Sequence, residues 1–168
     1  MKIGILSFRP LSREVTYEEL RLQEVAEALG HDVLIFRAEE CQLVYDEQGE
    51  RVFHRGQPLP KIDVLIPRAT VLWNADLRLA IVHQFELMGV PVLNTFDAIV
   101  KGKNKLRTMQ ILHEKGVPVP RTITIENYEA IDAAISLVGP LPVILKEAFG
   151  TFGSGVVIAE SKRAMRSM

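Results

Sequence analysis

Apolar residues recur along the chain in two rhythms, short unbroken runs and stripes of three-to-four spacing, and the two alternate. Lys2 to Ser7 is a compact apolar run ending in polar residues, as expected of a parallel strand covered on both faces. Thr16 and Glu19 form a capping-box pair, and Leu22, Val25, Ala26 and Leu29 then repeat at helical spacing up to Gly30. His31 to Phe36 reads as a second strand, so strand, helix and strand arrive in the order of a right-handed parallel crossover. Leu43-Val44-Tyr45 and Arg51-Val52-Phe53 flank a turn-rich Asp46-Glu47-Gln48-Gly49, which predicts a hairpin. This hairpin either lies on its own domain or pairs across a subunit interface. Ile62 to Pro67 is a further buried-strand pattern. A helix carrying Leu77, Ala80, Ile81, Phe85 and Met88 comes next and stops at Gly89, and Val90 to Asn94 supplies another strand.

The rhythm then changes. Asp97 to Lys115 predicts one helix rich in cations, Lys101, Lys103, Lys105, Arg107 and Lys115, with Leu106, Met109 and Leu112 as its packing stripe. Pro118 and Pro120 force an extended crossing between lobes. Thr122 to Ile125 reads as a strand. Asn127 caps a helix buried through Ile131, Ala134, Ile135 and Val138, and Gly139-Pro140 ends it. Strands alternating with helices make an open α/β layer the most economical architecture for the first ninety residues, and no internal repeat competes with it.

Composition narrows the function classes. The chain has 168 residues and is 48% hydrophobic, which excludes a disordered polymer. Twenty basic against twenty-one acidic residues give a net charge of -1 and no support for direct nucleic-acid binding. Cys41 is the single cysteine, so no intrachain disulfide can form and a reducing compartment is the default. No secretion signal and no apolar stretch long enough for a bilayer are visible, so the expectation is a soluble cytoplasmic protein with no membrane partner. His31, His54, His83 and His113 lack metal-ligand spacing, Glu18-Glu19 and Glu39-Glu40 read as capping or solvated charges, and Tyr17 and Trp73 read as packing residues.

Candidate chemistry falls in two places. In open parallel sheets ligands bind beyond the carboxyl ends of the strands, which puts Ser7, Arg68 and Asn94 on one rim as candidate substrate contacts. Caps at Ser7 and Asn94 and a solvated Arg68 explain the same residues equally well. No glycine stands in Ser7 to Ser12, so a dinucleotide fingerprint is absent. The second place is Pro142 to Ile158, where an apolar strand ends in Lys146, a loop carries Gly150, Thr151, Gly153, Ser154 and Gly155, and an apolar strand leaves. Glycines let backbone N–H groups turn inward as an anion-binding concavity, with the Thr and Ser hydroxyls as extra donors. A P-loop is ruled out, because no lysine follows the glycines and the exit is a strand. The pattern therefore reads as a glycine-rich flap over nucleotide phosphates with Lys146 as a point charge, set against a plain flexible hairpin whose lysine snorkels into water.

These residues resemble the ATP-grasp superfamily, and within it the RimK-type α-L-glutamate ligases that add glutamate to the carboxyl end of a ribosomal protein. The resemblance rests on Ile66-Pro67-Arg68, Gln84 to Gly89, Lys105 to Gln110, and Leu145-Lys146 followed by Gly150-Thr151 and Gly153 to Val157. It implies an α/β fold: a pre-ATP-grasp domain with a Rossmann-like open parallel sheet over residues 1–95, a linker helix over 96–116, and the first, incomplete α+β part of an ATP-grasp domain over 117–168. It further implies that Lys105 and Lys146 are the two nucleotide-contacting lysines and that Gly150, Thr151, Gly153, Ser154 and Gly155 form the phosphate-covering loop. The implied cofactors are ATP and Mg2+, with Mn2+ as an alternative ion, and the implied partners are glutamate and a protein or peptide acceptor, a ribosomal protein among the candidates, in a homo-oligomer. The implied chemistry is phosphorylation of a carboxylate by ATP and attack of an amine on the acyl phosphate. Adenine-hinge residues, magnesium ligands and catalytic groups are expected beyond Met168, so the chain alone is expected to be inactive. The competing expectations are a non-catalytic nucleotide-binding or oligomerisation module and an ATP-grasp ligase for a different amine acceptor.

Overall fold

The computed structural model describes residues 1–70, 75–150, 153 and 155–167. The chain divides into two compact units, Met1–Val100 and Lys101–Met168.

The first unit is built on a parallel crossover. Strands β1 (Lys2–Ser7), β2 (Asp32–Arg37) and β6 (Val64–Arg68) form a sheet in the order β2-β1-β6, all parallel. Helix α1 (Tyr17–Ala28) connects β1 to β2. Its start is held as the sequence predicts: the Glu19 amide donates to the Thr16 hydroxyl at 3.2 Å and the Thr16 amide to the Glu19 carboxylate at 2.7 Å. The rest of that helix differs from expectation. Tyr17 is exposed, and of the predicted stripe Leu22 and Ala26 are half-buried while Val25 and Leu29 face solvent. The sheet is three strands wide, too narrow to cover the whole stripe.

The hairpin forms as β3 (Cys41–Asp46) and β4 (Gly49–His54), with a two-residue β5 (Gln57–Pro58) beside β4. It lies on its own unit: Val52 is buried in the core with Leu43 packed against it, and the Tyr45 hydroxyl donates to Gln84 Oε1 at 2.6 Å. Helix α2 (Ala75–Leu87) supplies Leu79, Ile81, Val82 and Phe85 to a core shared with Leu6, Phe8, Phe36, Ile62, Leu65 and Ile99. Each fully buried side chain of this size contributes about 1.5–3 kcal/mol relative to exposure. The expected strand over Val90–Asn94 shrinks to one parallel bridge, Leu65 to Val92. Proline at 91 has no N–H, so only the Pro91 carbonyl and the Leu93 amide, each bonded to Leu65 at 2.9 Å, extend the ladder.

The predicted helix from Asp97 to Lys115 is two helices, α3 (Phe96–Lys103) and α4 (Lys105–Glu114), interrupted at Asn104. In the second unit no strand forms over Thr122–Ile125. β-branched residues suit extended backbone, but among the described residues no neighbouring strand takes up their ladder. Asn127 does act as a cap, accepting the Ala130 amide at 3.0 Å ahead of α5 (Ile131–Val138). Strands β7 (Val143–Lys146) and β8 (Val156–Ala159) pair antiparallel, and α6 (Lys162–Arg166) closes the unit. One face of this ribbon packs Val143, Leu145 and Ala159 against Ile131 and Met165. The other bears Ile144 and Ile158, cross-strand partners that are 59% and 64% exposed.

Candidate functional site

Asn104 is the residue from which the second unit's site is assembled. Its backbone is extended and its side-chain oxygen accepts the amides of Leu106 at 3.0 Å and Arg107 at 3.1 Å, satisfying two of the unpaired donors at the start of α4. The break places Lys105 in the first turn of α4. The Lys105 amide then donates to the Ala148 carbonyl at 2.9 Å, and Asn104 forms an antiparallel bridge with Phe149. The start of α4 is thus stitched to the chain that leaves β7, two residues beyond Lys146.

The glycine loop is pinched shut at its base. Lys146 pairs with Val156 across the ribbon, the Glu147 amide donates to the Gly155 carbonyl at 2.9 Å, and the Val156 amide donates to the Gly153 carbonyl at 3.2 Å. Gly153 and Gly155 have φ of +76° and +67°, the left-handed region that disfavours side chains. A Cβ at Gly155 would stand 2.5 Å from a carboxylate oxygen of the exposed Glu147 side chain, which would have to turn aside. Thr151 and Ser154, expected to line this loop, lie outside the described residues. Gly150 is half-buried.

Electrostatics mark the two lysines differently. Lys105 Nζ is buried without a hydrogen-bond partner among the described residues. An unpaired buried ammonium is costly, and a cation in the first turn of a helix also opposes the helix dipole. Both penalties are relieved by an anion. Lys146 is exposed at the end of its strand, so the burial cost that would tie it to an anion does not apply to it. Its claim rests on position beside the loop.

The rim of the first unit is built separately. Ser7 and Arg68 are neighbours in register on β1 and β6, and Asn94 follows the Val92 bridge at the same end of the sheet. Ser7 is fully buried, and its hydroxyl accepts the Arg9 amide at 3.3 Å, whereas Arg68 and Asn94 are exposed. Two arginines not anticipated from the sequence tie down the loop after β1. Arg37 donates to the carbonyls of Pro10 at 2.6 Å and Arg13 at 2.7 Å, and Arg78 donates to Phe8 O at 3.0 Å and to Glu39 at 3.3 Å. Their only signal in the sequence is the density of arginines, which does not reveal a carbonyl partner. Near the same rim the Glu18 carboxyl is held below its usual range by a bond from its own amide and by Thr16, with the charges of Arg68 and Arg9 adding to them.

Among the described residues no group of three or more His, Cys, Asp or Glu side chains stands together as a metal site, and no helix is long and apolar enough to cross a membrane. Burial pushes the Cys41 thiol up to about 12, which leaves it protonated and unreactive at neutral pH.

Residues 1–99 match the RimK pre-ATP-grasp domain and residues 102–168 the RimK-like ATP-grasp domain. A probable alpha-L-glutamate ligase of Vibrio vulnificus (strain YJ016) is 36% identical over 170 residues, and probable alpha-L-glutamate ligase 2 of Pseudoalteromonas atlantica is 38% identical over 170 residues. Each alignment takes in 100% of this chain and 54% of the relative, so the chain spans about half the length of the curated relatives it matches. Among solved structures, a RimK domain ATP-grasp protein from Sphaerobacter thermophilus DSM 20745 superposes with a TM-score of 0.71 at 22% identity, covering 99% of this chain and 56% of that one. The ATP-grasp ligase PsnB, complexed with minimal precursor, Mg and ADP, superposes with a TM-score of 0.66 at 22% identity, covering 96% and 59%. At these identities the superpositions establish a shared fold.

Proposed function

Because the chain belongs to the RimK family of ATP-grasp proteins, we propose that it is the nucleotide-gripping portion of an ATP-dependent carboxylate–amine ligase that joins glutamate to a protein or peptide carboxyl end. The observation that carries this reading is the Lys105 ammonium, buried without a partner among the described residues at a helix start that is hydrogen-bonded to the glycine loop. A triphosphate under that loop supplies the missing anion, and Lys146 adds a second positive charge at the strand end. The left-handed glycines at 153 and 155 let the backbone bend closely over phosphate oxygens.

In this reading ATP converts a substrate carboxylate to an acyl phosphate, and the amine of glutamate displaces the phosphate to form the amide. Magnesium, when bound, offsets the charge of the transferring phosphoryl group. Among the described residues no group of three or more acidic, imidazole or thiol side chains stands together to hold that ion. Arg68 and Asn94, exposed at the rim of the first unit, are the proposed contacts for an anionic substrate, with buried Ser7 shaping the loop beneath them.

Two experiments test the proposal. Calorimetric titration of the chain with magnesium and a non-hydrolysable ATP analogue should show saturable binding that weakens at least tenfold in Lys105→Met; equal affinity in that variant removes the nucleotide reading. Incubating the protein, in the longest form its gene encodes, with ATP, glutamate and acceptor peptides should yield peptides heavier by whole glutamate residues. Unchanged peptide masses alongside ATP hydrolysis would transfer the activity to another amine acceptor.

A further inference from the structure

The stretch from Gln84 to Gly89 carries part of the family resemblance, yet the nucleotide grip leaves it unused. It ends α2, and the chain turns there: the Gly89 amide donates to the Glu86 carbonyl and the Val90 amide to the Phe85 carbonyl, each at 2.9 Å. The Glu86 side chain reaches past this turn. It is half-buried, and its Oε1 accepts the amide of Phe96, ten residues further on, at 3.0 Å.

Phe96 is the first residue of α3, so its amide is one of the donors that the helix cannot satisfy by itself. Thr95 supplies a second cap, its hydroxyl accepting the Ala98 amide at 3.2 Å. His83, one turn before Glu86 on α2, places Nδ1 3.4 Å from Glu86 Oε2 and sets its ring against that of Phe96 at a centroid distance of 4.8 Å. The start of α3 is thereby fastened to the end of α2.

Asn94 is fixed from both sides as a result. Ahead of it the Leu93 amide donates to the Leu65 carbonyl at 2.9 Å, and behind it Phe96 is held by Glu86. The Asn94 side chain itself is exposed and makes no hydrogen bond among the described residues. Exposed loops are ordinarily mobile, and an asparagine that only turns the chain spends its side chain on nearby backbone. Here the neighbours do the holding and the side-chain amide is left over, as in a binding group supported from behind.

We propose that Glu86 is a positioning residue: by capping α3 at Phe96 it holds the loop so that Asn94 presents its side-chain amide to the carboxylate substrate at the Ser7–Arg68 rim, an assignment that rests on the reading of Asn94 as a substrate contact. The position requires an acceptor at the right reach. Negative charge at a helix start adds to the stability of α3 without deciding where the Phe96 amide is held.

Two substitutions separate reach from charge. Glu86→Gln keeps an oxygen at the same distance and loses the charge, whereas Glu86→Asp keeps the charge and is one methylene short of the amide. In the protein in the longest form its gene encodes, assayed with ATP, glutamate and acceptor peptide, Asn94→Ala should raise the KM of one carboxylate substrate about tenfold. Glu86→Asp should raise the same KM about as much, with the KM for ATP and kcat unchanged, while Glu86→Gln stays near the wild type. Combining Glu86→Asp with Asn94→Ala should be no worse than Asn94→Ala alone, because both act through one contact. The Asn94 side-chain amide signal in nitrogen-edited NMR should broaden in Glu86→Asp and keep its wild-type line in Glu86→Gln. Absence of ligation, or silence of Asn94→Ala toward both carboxylate substrates, would remove the rim reading and the proposal with it. An effect of Asn94→Ala with none of Glu86→Asp, additive effects of the two, or equal losses in Glu86→Gln and Glu86→Asp would leave the rim standing and overturn the positioning role.

Discussion

Replacing Lys105 with methionine should make the empty protein more stable and should shrink the stabilisation that nucleotide brings. Without an anion, Lys105 Nζ is buried and unpartnered among the described residues. An unsatisfied buried polar group costs about 1–3 kcal/mol, and more when charged. A cation in the first turn of α4 adds about 0.3–1 kcal/mol through the helix dipole. Taking a net of ~2 kcal/mol, and 2–4 °C per kcal/mol for a chain of this size, Lys105→Met should melt roughly 4–8 °C higher than the wild type without nucleotide. Nucleotide narrows the gap. At a hundredfold excess over the wild-type Kd, binding stabilises the wild type by ~2.7 kcal/mol, or roughly 5–11 °C, whereas a variant that binds tenfold more weakly gains only ~1.4 kcal/mol, or roughly 3–6 °C. Thermal unfolding followed by circular dichroism, with and without Mg-ADP, reads both effects. A variant that melts lower than wild type when empty, or that keeps the full nucleotide shift, refutes the assignment of Lys105 as an anion-seeking charge.

Asn104→Ala removes the acceptor for two amides at the start of α4 and should cost about 1 kcal/mol in urea unfolding, with Asn104→Asp retaining most of it. Gln84 is 1% exposed, and its Nε2 has no partner among the described residues while its Oε1 takes the Tyr45 hydroxyl, so Gln84→Met should leave stability unchanged or raise it by about 1 kcal/mol. A urea-unfolding loss of more than about 2 kcal/mol there would mean that the Gln84 amide gains more from its surroundings than its burial costs. Glu40 accepts Arg55 Nε at 2.7 Å and lies 3.1 Å from His54 Nε2, and the Arg55 bond above all holds its carboxyl below the usual glutamate range. A depressed carboxyl stabilises the fold fully above its unfolded value and loses that contribution as pH falls through the folded value. The stability gap between wild type and Glu40→Gln, about 1 kcal/mol at pH 7, should therefore close in acid below the ordinary glutamate range; a gap independent of pH would show that the ion pair contributes nothing.

The crossover at the start of the chain was legible because local signals agreed there: an unbroken apolar run, the Thr16–Glu19 pair and a helical stripe all pointed to one arrangement. The ribbon around the glycine loop was legible for the same reason, with Lys146 ending its strand. Asn104 was missed because the stripe of Leu106, Met109 and Leu112 continues the helical period of the residues before it, and the strong capping preference of asparagine carries no weight in a periodicity count. Val90–Asn94 and Thr122–Ile125 have the right residues for strands. Whether such segments become strands depends on neighbours and on available amide hydrogens, and Pro91 removes one at the decisive place. That Lys105 is covered and Lys146 is open was also invisible, since burial depends on what the rest of the chain lays over each side chain.

Position 155 illustrates how little latitude such a loop allows to random change. Handedness sets the larger part: the backbone sits at φ +67°, whereas the volume a methyl would occupy is taken only by the end of the exposed, flexible Glu147 side chain. In a saturation library every non-glycine codon at 155 should be depleted, alanine included, and shortening residue 147 should recover only the part of the loss that comes from crowding. Torsional strain would persist in such double mutants, so the two contributions can be weighed separately in one selection.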